Sequence, residues 1–235
     1  MPSAPTPATS ALERAAITVD GARMFASPDV MRTSMPNVHT LRLVLREGSV
    51  ACLNDIPVTI PTKVEDLRIV HVVSSASGAA PDLSPFLHRV LPTTPLLRSL
   101  TLTVRLADVS ALVHVAGTLE VLRAYRGLPE NASAVVAELT ALATLSVPTY
   151  RISTDDTADG LRDVGFLLQR RHTRLRELHV NEFGGPSLSD IIKACPLLHS
   201  IIIHTWAVGH GSGWEPLPIG WEPLNDSYWM RPSFM

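Results

Sequence analysis

The sequence predicts an α/β fold, an irregular solenoid with a parallel sheet on one face and helices on the other. Two observations carry that reading. The apolar spacing LxxLxL recurs seven times along the 235 residues, and the segments between recurrences hold helix starts. A third sets the scale: 46% of the residues are apolar, enough for a substantial core in one domain or one elongated array.

The recurrences begin with Val38, Leu41 and Leu43 in "MPNVHTLRL" and Val64, Leu67 and Ile69 in "TKVEDLRI". Next come Leu97, Leu100 and Leu102 in "TPLLRSLTL", then Leu119, Leu122 and Ala124 in "GTLEVLRA". The last three are Leu142, Leu145 and Val147 in "TALATLSV", Leu175, Leu178 and Val180 in "TRLRELHV", and Leu198, Ile201 and Ile203 in "CPLLHSIII". A weaker eighth copy, Leu12, Ala15 and Ile17, precedes them. Successive first positions are 26, 33, 22, 23, 33 and 23 residues apart. The two long units carry insertions, "SSASGAAPD" and "STDDTADG", whose small and acidic residues belong in exposed loops.

Between the strands, Ser84 is placed to cap a helix with Pro85 at its first position and Phe86, Leu87, Val90 and Leu91 on its apolar face. Asn131 is placed to cap "ASAVVAEL", Asp108 or Ser110 to start "ALVHVA", and Ser187 with Asp190 to form a capping box before Ile191 and Ile192. Pro36, Pro95 and Pro196 each stand two residues before a strand's first apolar residue, where proline ends a helix and extends the chain.

This pattern resembles the leucine-rich repeat superfamily over roughly residues 36 to 205, and the "CPLL", "MPNV" and "TPLL" openings look like the repeats of F-box leucine-rich repeat proteins. The resemblance implies an irregular leucine-rich repeat solenoid. It departs from the family where Asn or Cys is expected, since those positions hold Arg46, Val72, Arg105, Gly127, Tyr150, Phe183 and Trp206. The implied function is a non-catalytic protein-interaction scaffold, the substrate-recognition part of an F-box-type ubiquitin ligase adaptor. Residues 1–35 hold no LPxE-led helical F-box, so this chain alone is not expected to recruit a ligase core. Three regions follow: a flexible segment at 1–11, the repeat domain at 12–205 with clear repeats from 36, and an irregular Trp/Gly/Pro-rich cap or tail at 206–235.

Charge and cysteine content narrow the partners. With 20 basic and 22 acidic residues, a formal net charge of −2 recommends neither nucleic acid nor an anionic membrane. Cys52 and Cys195 lack the CxxC spacing of zinc and redox sites, and no stretch approaches the roughly 18 apolar residues of a membrane span. The expectation is a soluble cytoplasmic or nuclear protein without cofactor or metal.

If LxxLxL turns inward, the alternate residues form lanes on the opposite face. One lane reads Arg42, Arg68, Thr101, Arg123, Ser146, His179, Ile202, and the next reads Val44, Val70, Thr103, Tyr125, Pro148, Asn181, His204. Arg42, Arg68, Arg123, Tyr125 and His179 are the candidate partner-binding residues. Arginine grips carboxylates in a bidentate fork and tyrosine adds rigid contact area, so the expected partner is an acidic protein segment.

The competing reading is a hydrolase using Asp155, Asp156, His172 and Cys195, but their spacing matches no catalytic motif. Cys195 is expected to pack as a small apolar thiol before a strand. In the tail, Trp206, Trp214, Trp221 and Trp229 are all the tryptophans of the chain, and "GWEPL" occurs twice. They either fold back over the last repeat as a cap or serve as docking anchors, and the glycines and prolines argue against a helix or a central strand.

Overall fold

The computed structural model describes residues 12–19, 30–46, 49–55, 59–72, 82–129, 132–147, 174–183, 188–206, 222–225 and 228–230. Eight parallel strands lie side by side in chain order: β1 (Arg14–Val19), β2 (Thr40–Leu45), β3 (Asp66–His71), β4 (Ser99–Leu102), β5 (Val121–Ala124), β6 (Thr144–Val147), β7 (Glu177–Phe183) and β8 (Ser200–Trp206). Two more, β9 (Glu222–Asn225) and β10 (Tyr228–Met230), extend the sheet antiparallel beyond β8 in the order β8, β10, β9. The sheet is open. Its connections hold α1 (Val30–Ser34), α2 (Ser49–Asp55), α3 (Ser84–Val90), α4 (Ala132–Glu138) and α5 (Leu188–Ala194), with 3-10 helices at Leu91–Thr93 and Ser110–Val115.

The strand register is the one the apolar spacing sets. Leu41, Leu67, Leu100, Leu122, Leu145, Leu178 and Ile201 stand opposite one another from β2 to β8. Each is at most 1% exposed. The weak eighth copy joins in phase, with Ala15 beside Leu41 and Ile17 beside Leu43. A slip of one residue would turn every one of these side chains to the other face, so the buried stack fixes the pairing. Parallel neighbours in strict chain order, if joined by the right-handed crossovers that such pairs favour, keep their connections on one side of the sheet. That side carries the core, where α3 packs on α2 and on the Ser110–Val115 helix, which in turn meets α4.

The chain reaches each strand by the same backbone route. The first apolar residue closes a turn in five units: Val38, Val64, Leu97, Leu142 and Leu198 donate their N–H to the carbonyls of Met35, Pro61, Thr94, Leu139 and Cys195. Pro36, Pro95 and Pro196 are the second residues of such turns, a position their fixed φ suits. One carbonyl of each preceding unit then accepts two N–H groups from the next. Glu13 takes those of His39 and Thr40, and His39, Glu65, Arg98, Glu120, Ala143 and Arg176 repeat the arrangement, at 2.7 to 3.2 Å. This ladder satisfies the backbone at the leading ends of the strands.

Helix starts differ from the sequence expectation. Ser84 does not cap α3. With Pro85 lacking an N–H, the next donor, Phe86, turns to Asn54 Oδ1 of α2 at 3.1 Å, while Asn54 Nδ2 donates to the Asp82 carbonyl at 2.8 Å. The Ser84 hydroxyl donates to Asp82 Oδ1 at 2.6 Å and accepts from the N–H groups of Ala107 and Asp108 at 3.1 and 2.9 Å. "ALVHVA" is a 3-10 helix rather than an α-helix, and Asp108 Oδ1 accepts the Ser110 N–H at its start at 2.9 Å. Asn131 and Ser187 lie outside the described residues, as do segment 1–11, most of "SSASGAAPD" and all of "STDDTADG".

Asp108 also receives the Ser110 hydroxyl at 2.6 Å and His88 Nε2 at 2.7 Å. The Ser110 hydroxyl, its N–H and His88 together hold this carboxyl down to about 2. Burial pushes Asp82 up, but donation from Ser84 and Ala107 outweighs it and leaves the group below its usual range. A depressed folded value means stability present above the unfolded pKa and lost as pH falls through the folded one. Asp108→Asn is therefore expected to lower the urea midpoint above pH of about 4, with the two proteins converging towards pH of about 2. A gap that stays constant across that window would show that Asp108 adds nothing through its charge.

Candidate functional site

The face of the sheet opposite the core carries the lanes. Arg42, Arg68, Thr101, Arg123, Ser146, His179 and Ile202 stand in register across β2 to β8, so the three arginines share one row. Arg42 is exposed and Arg123 half-buried. Among the described residues neither has a hydrogen bond or ion pair to another side chain. Arg68 is different. Its Nε and a terminal nitrogen both donate to Asp66 Oδ2, at 2.9 and 2.7 Å. That bond and the carboxylate charge push the guanidinium further up, and its charge is largely answered within the chain. Residues i and i+2 of a strand share a face, which is why Asp66 reaches Arg68.

Tyr125 follows β5 directly, is half-buried, and lies near enough to influence Arg68 electrostatically. His179 is apart from the arginines. It lies on β7, two strands beyond Arg123, with Nδ1 3.1 Å from the hydroxyl of Ser146 on β6. Ser146 is 5% exposed, so this pair is a closed contact within the sheet. Of the tryptophans, Trp206 ends β8 and Trp229 pairs opposite Ile201 from β10, while Trp214 and Trp221 lie outside the described residues. Residues 222–225 and 228–230, expected in an irregular tail, are strands. Pro223 sits on β9, the outermost strand, the position within a sheet where proline is tolerated.

The alternation of buried and open residues continues beyond the lane of Val44, Val70, Thr103 and Tyr125. Arg46 and Arg105 are exposed in the phase of Arg42 and Thr101, with Val72, 51% exposed, in the equivalent place after β3. On β2 to β5 this gives two arginine rows, Arg42, Arg68 and Arg123 on one side and Arg46 and Arg105 on the other. Between them runs a half-buried row of Val44, Val70, Thr103 and Tyr125. Extending the period-2 count by one step finds the second row.

The leading ends of the strands look different. Glu65 meets His39 Nδ1 at 3.1 Å and Arg98 at 4.0 Å, and Arg98 meets Glu120 at 3.0 Å. These exposed pairs balance one another and add little stability.

Cys195 is fully buried at the end of α5, where its carbonyl closes the turn to Leu198. Burial raises its thiol to about 11, far from the thiolate a nucleophile needs. Asp155, Asp156 and His172 lie outside the described residues. A Ser/His/Asp cluster does occur at Ser110, His88 and Asp108, but serine and carboxylate meet the same ring nitrogen, Nε2, at 3.3 and 2.7 Å. A nitrogen donating to Asp108 cannot take the proton of Ser110, so the cluster is not a relay. Among the described residues no three His, Cys, Asp or Glu side chains are grouped to hold a metal ion, and no helix is long and apolar enough to cross a membrane.

No family model matches the chain, and no curated protein matches it.

Proposed function

We propose that this chain is a non-catalytic protein-interaction scaffold of leucine-rich repeat type, an irregular solenoid whose open sheet face receives an acidic segment of another protein. The observation that carries the reading is the sheet face of β2 to β5, left uncovered by the chain's described elements, on which Arg42 and Arg123 stand without a partner side chain among the described residues. A buried face on one side and aligned unpaired cations on the other suit a surface built to be covered by something else. The proline-led turns before β2, β4 and β8 favour the finer reading, the substrate-recognition part of an F-box-type ubiquitin ligase adaptor working in the cytoplasm or nucleus.

Reversing both free cations, Arg42→Glu with Arg123→Glu, is expected to change the unfolding free energy by no more than about 1 kcal/mol, since neither side chain belongs to the buried core. The same variant should lose the proteins that the wild-type chain captures from cell extract. Lys193→Glu, an exposed change on α5, serves as the control and should retain them. Identical capture by all three proteins would remove this face as the binding surface.

A further inference from the structure

We infer that the occupant of this face is an extended peptide lying across the strands over the Val44, Val70, Thr103 and Tyr125 row, with apolar side chains on that row and carboxylates reaching the arginines beside it. This rests on the reading of the open face as a protein-binding surface and specifies what binds there and in which direction. The charge distribution is local. Among the described residues five arginines, Arg42, Arg46, Arg68, Arg105 and Arg123, stand on the open face of β2 to β5 and its continuation, against a single carboxylate, Asp66, on a chain with a formal net charge of −2. Asp82, bridged to Arg105 through the backbone, turns its carboxylate to Ser84 and Ala107 instead. Asp66 occupies Arg68, and its other oxygen is buried without a partner among the described residues, so it is closed to any further cation. In the row of Arg42, Arg68 and Arg123, Arg42 and Arg123 remain to bind an anion.

Distance supplies the spacing. Arg42 and Arg123 are three strands apart in one row, about 14 Å at the usual interval between strands. An extended chain advances about 3.3 to 3.6 Å per residue, so side chains at positions one and five lie about 14 Å apart and point the same way. The recognised pattern is therefore acid, any residue, apolar, any residue, acid, with the apolar residue over Val70 and Thr103. A nucleic acid fits the surface less well. Among the described residues the face offers one aromatic ring, Tyr125, no lysine and, along the middle row, Val44, Val70 and Thr103, where stacking platforms and a continuous cationic track would be needed.

The test uses the full chain and a fluorescein-labelled peptide with glutamate at its first and fifth positions and leucine at its third, read by fluorescence polarisation. Saturable binding is expected, weakened about tenfold or more by Arg42→Glu with Arg123→Glu, which corresponds to 1.4 kcal/mol. Raising the salt from 50 to 500 mM should also weaken it, roughly in step with the shrinking screening length. Val70→Ser should weaken it with no change in salt dependence, and moving the second glutamate next to the first should weaken it and reduce its salt dependence, since one arginine is then left out of reach. Equal binding of the rearranged peptide, or tighter binding of a single-stranded RNA oligonucleotide, would overturn the proposal. If no such peptide binds while the double arginine variant still loses its captured partners, the crosswise pose fails and the reading of the face stands. If capture is unchanged as well, both fail.

Discussion

Leu100→Ala is expected to destabilise the protein by about 2–5 kcal/mol, the range for truncating a buried leucine where neighbours collapse only partly. Leu100 is fully buried on β4, with Leu67 and Leu122 beside it in the same row. Both flanking side chains are held by strands whose backbones are already paired, so the vacated volume has little to fill it. The neighbouring Thr101 is on the open face and half-buried, and Thr101→Ala should change stability by less than about 0.5 kcal/mol. Urea denaturation of the two variants checks this. Midpoints that move together would mean that the two faces of β4 do not differ in burial as described, and a fall at Thr101 alone would reverse them.

The same alternation explains what was legible in the sequence. Strand side chains repeat every two residues, so a single LxxLxL triplet settles which residues go inward, and agreement among copies settles which residues pair. Even Ala15 and Ile17, the weakest copy, take their places beside Leu41 and Leu43. The helical side was less legible because its polar contacts are made between units. Asn54 serves Phe86 and Asp82 serves Ala107, partners 32 and 25 residues apart. No local pattern distinguishes these from a serine capping its own helix, so the sequence points to Ser84 for a role that Asn54 performs. For the candidate site, the row of arginines could be read, but its charge could not be read from the row alone. Asp66 lies one lane away and two residues from Arg68, and it removes the central cation from those available to a partner.

Deleting residues 207–235 is expected to have the second large effect, on association as well as stability. Through β10 the segment pairs Tyr228, Trp229 and Met230 with Ile202, Ile201 and Ser200. Removing it leaves β8 as the edge of the sheet, with a row of unpaired N–H and C=O groups along a strand whose core residues are isoleucines. Each backbone hydrogen bond lost carries a net contribution of about 0.5–1.5 kcal/mol, so the strand as a whole accounts for about 2 kcal/mol. For a chain of this size that lowers the melting temperature by about 4–8 °C. The exposed edge should also template pairing with a second molecule, so the truncated protein is expected to elute as dimers and larger species whose share grows with concentration. Light scattering on a sizing column and a thermal melt read both effects. A truncated chain that stays monomeric with an unchanged melting temperature would mean that β8 needs no cover and that the tail is a detachable segment, leaving its duplicated GWEPL for docking elsewhere.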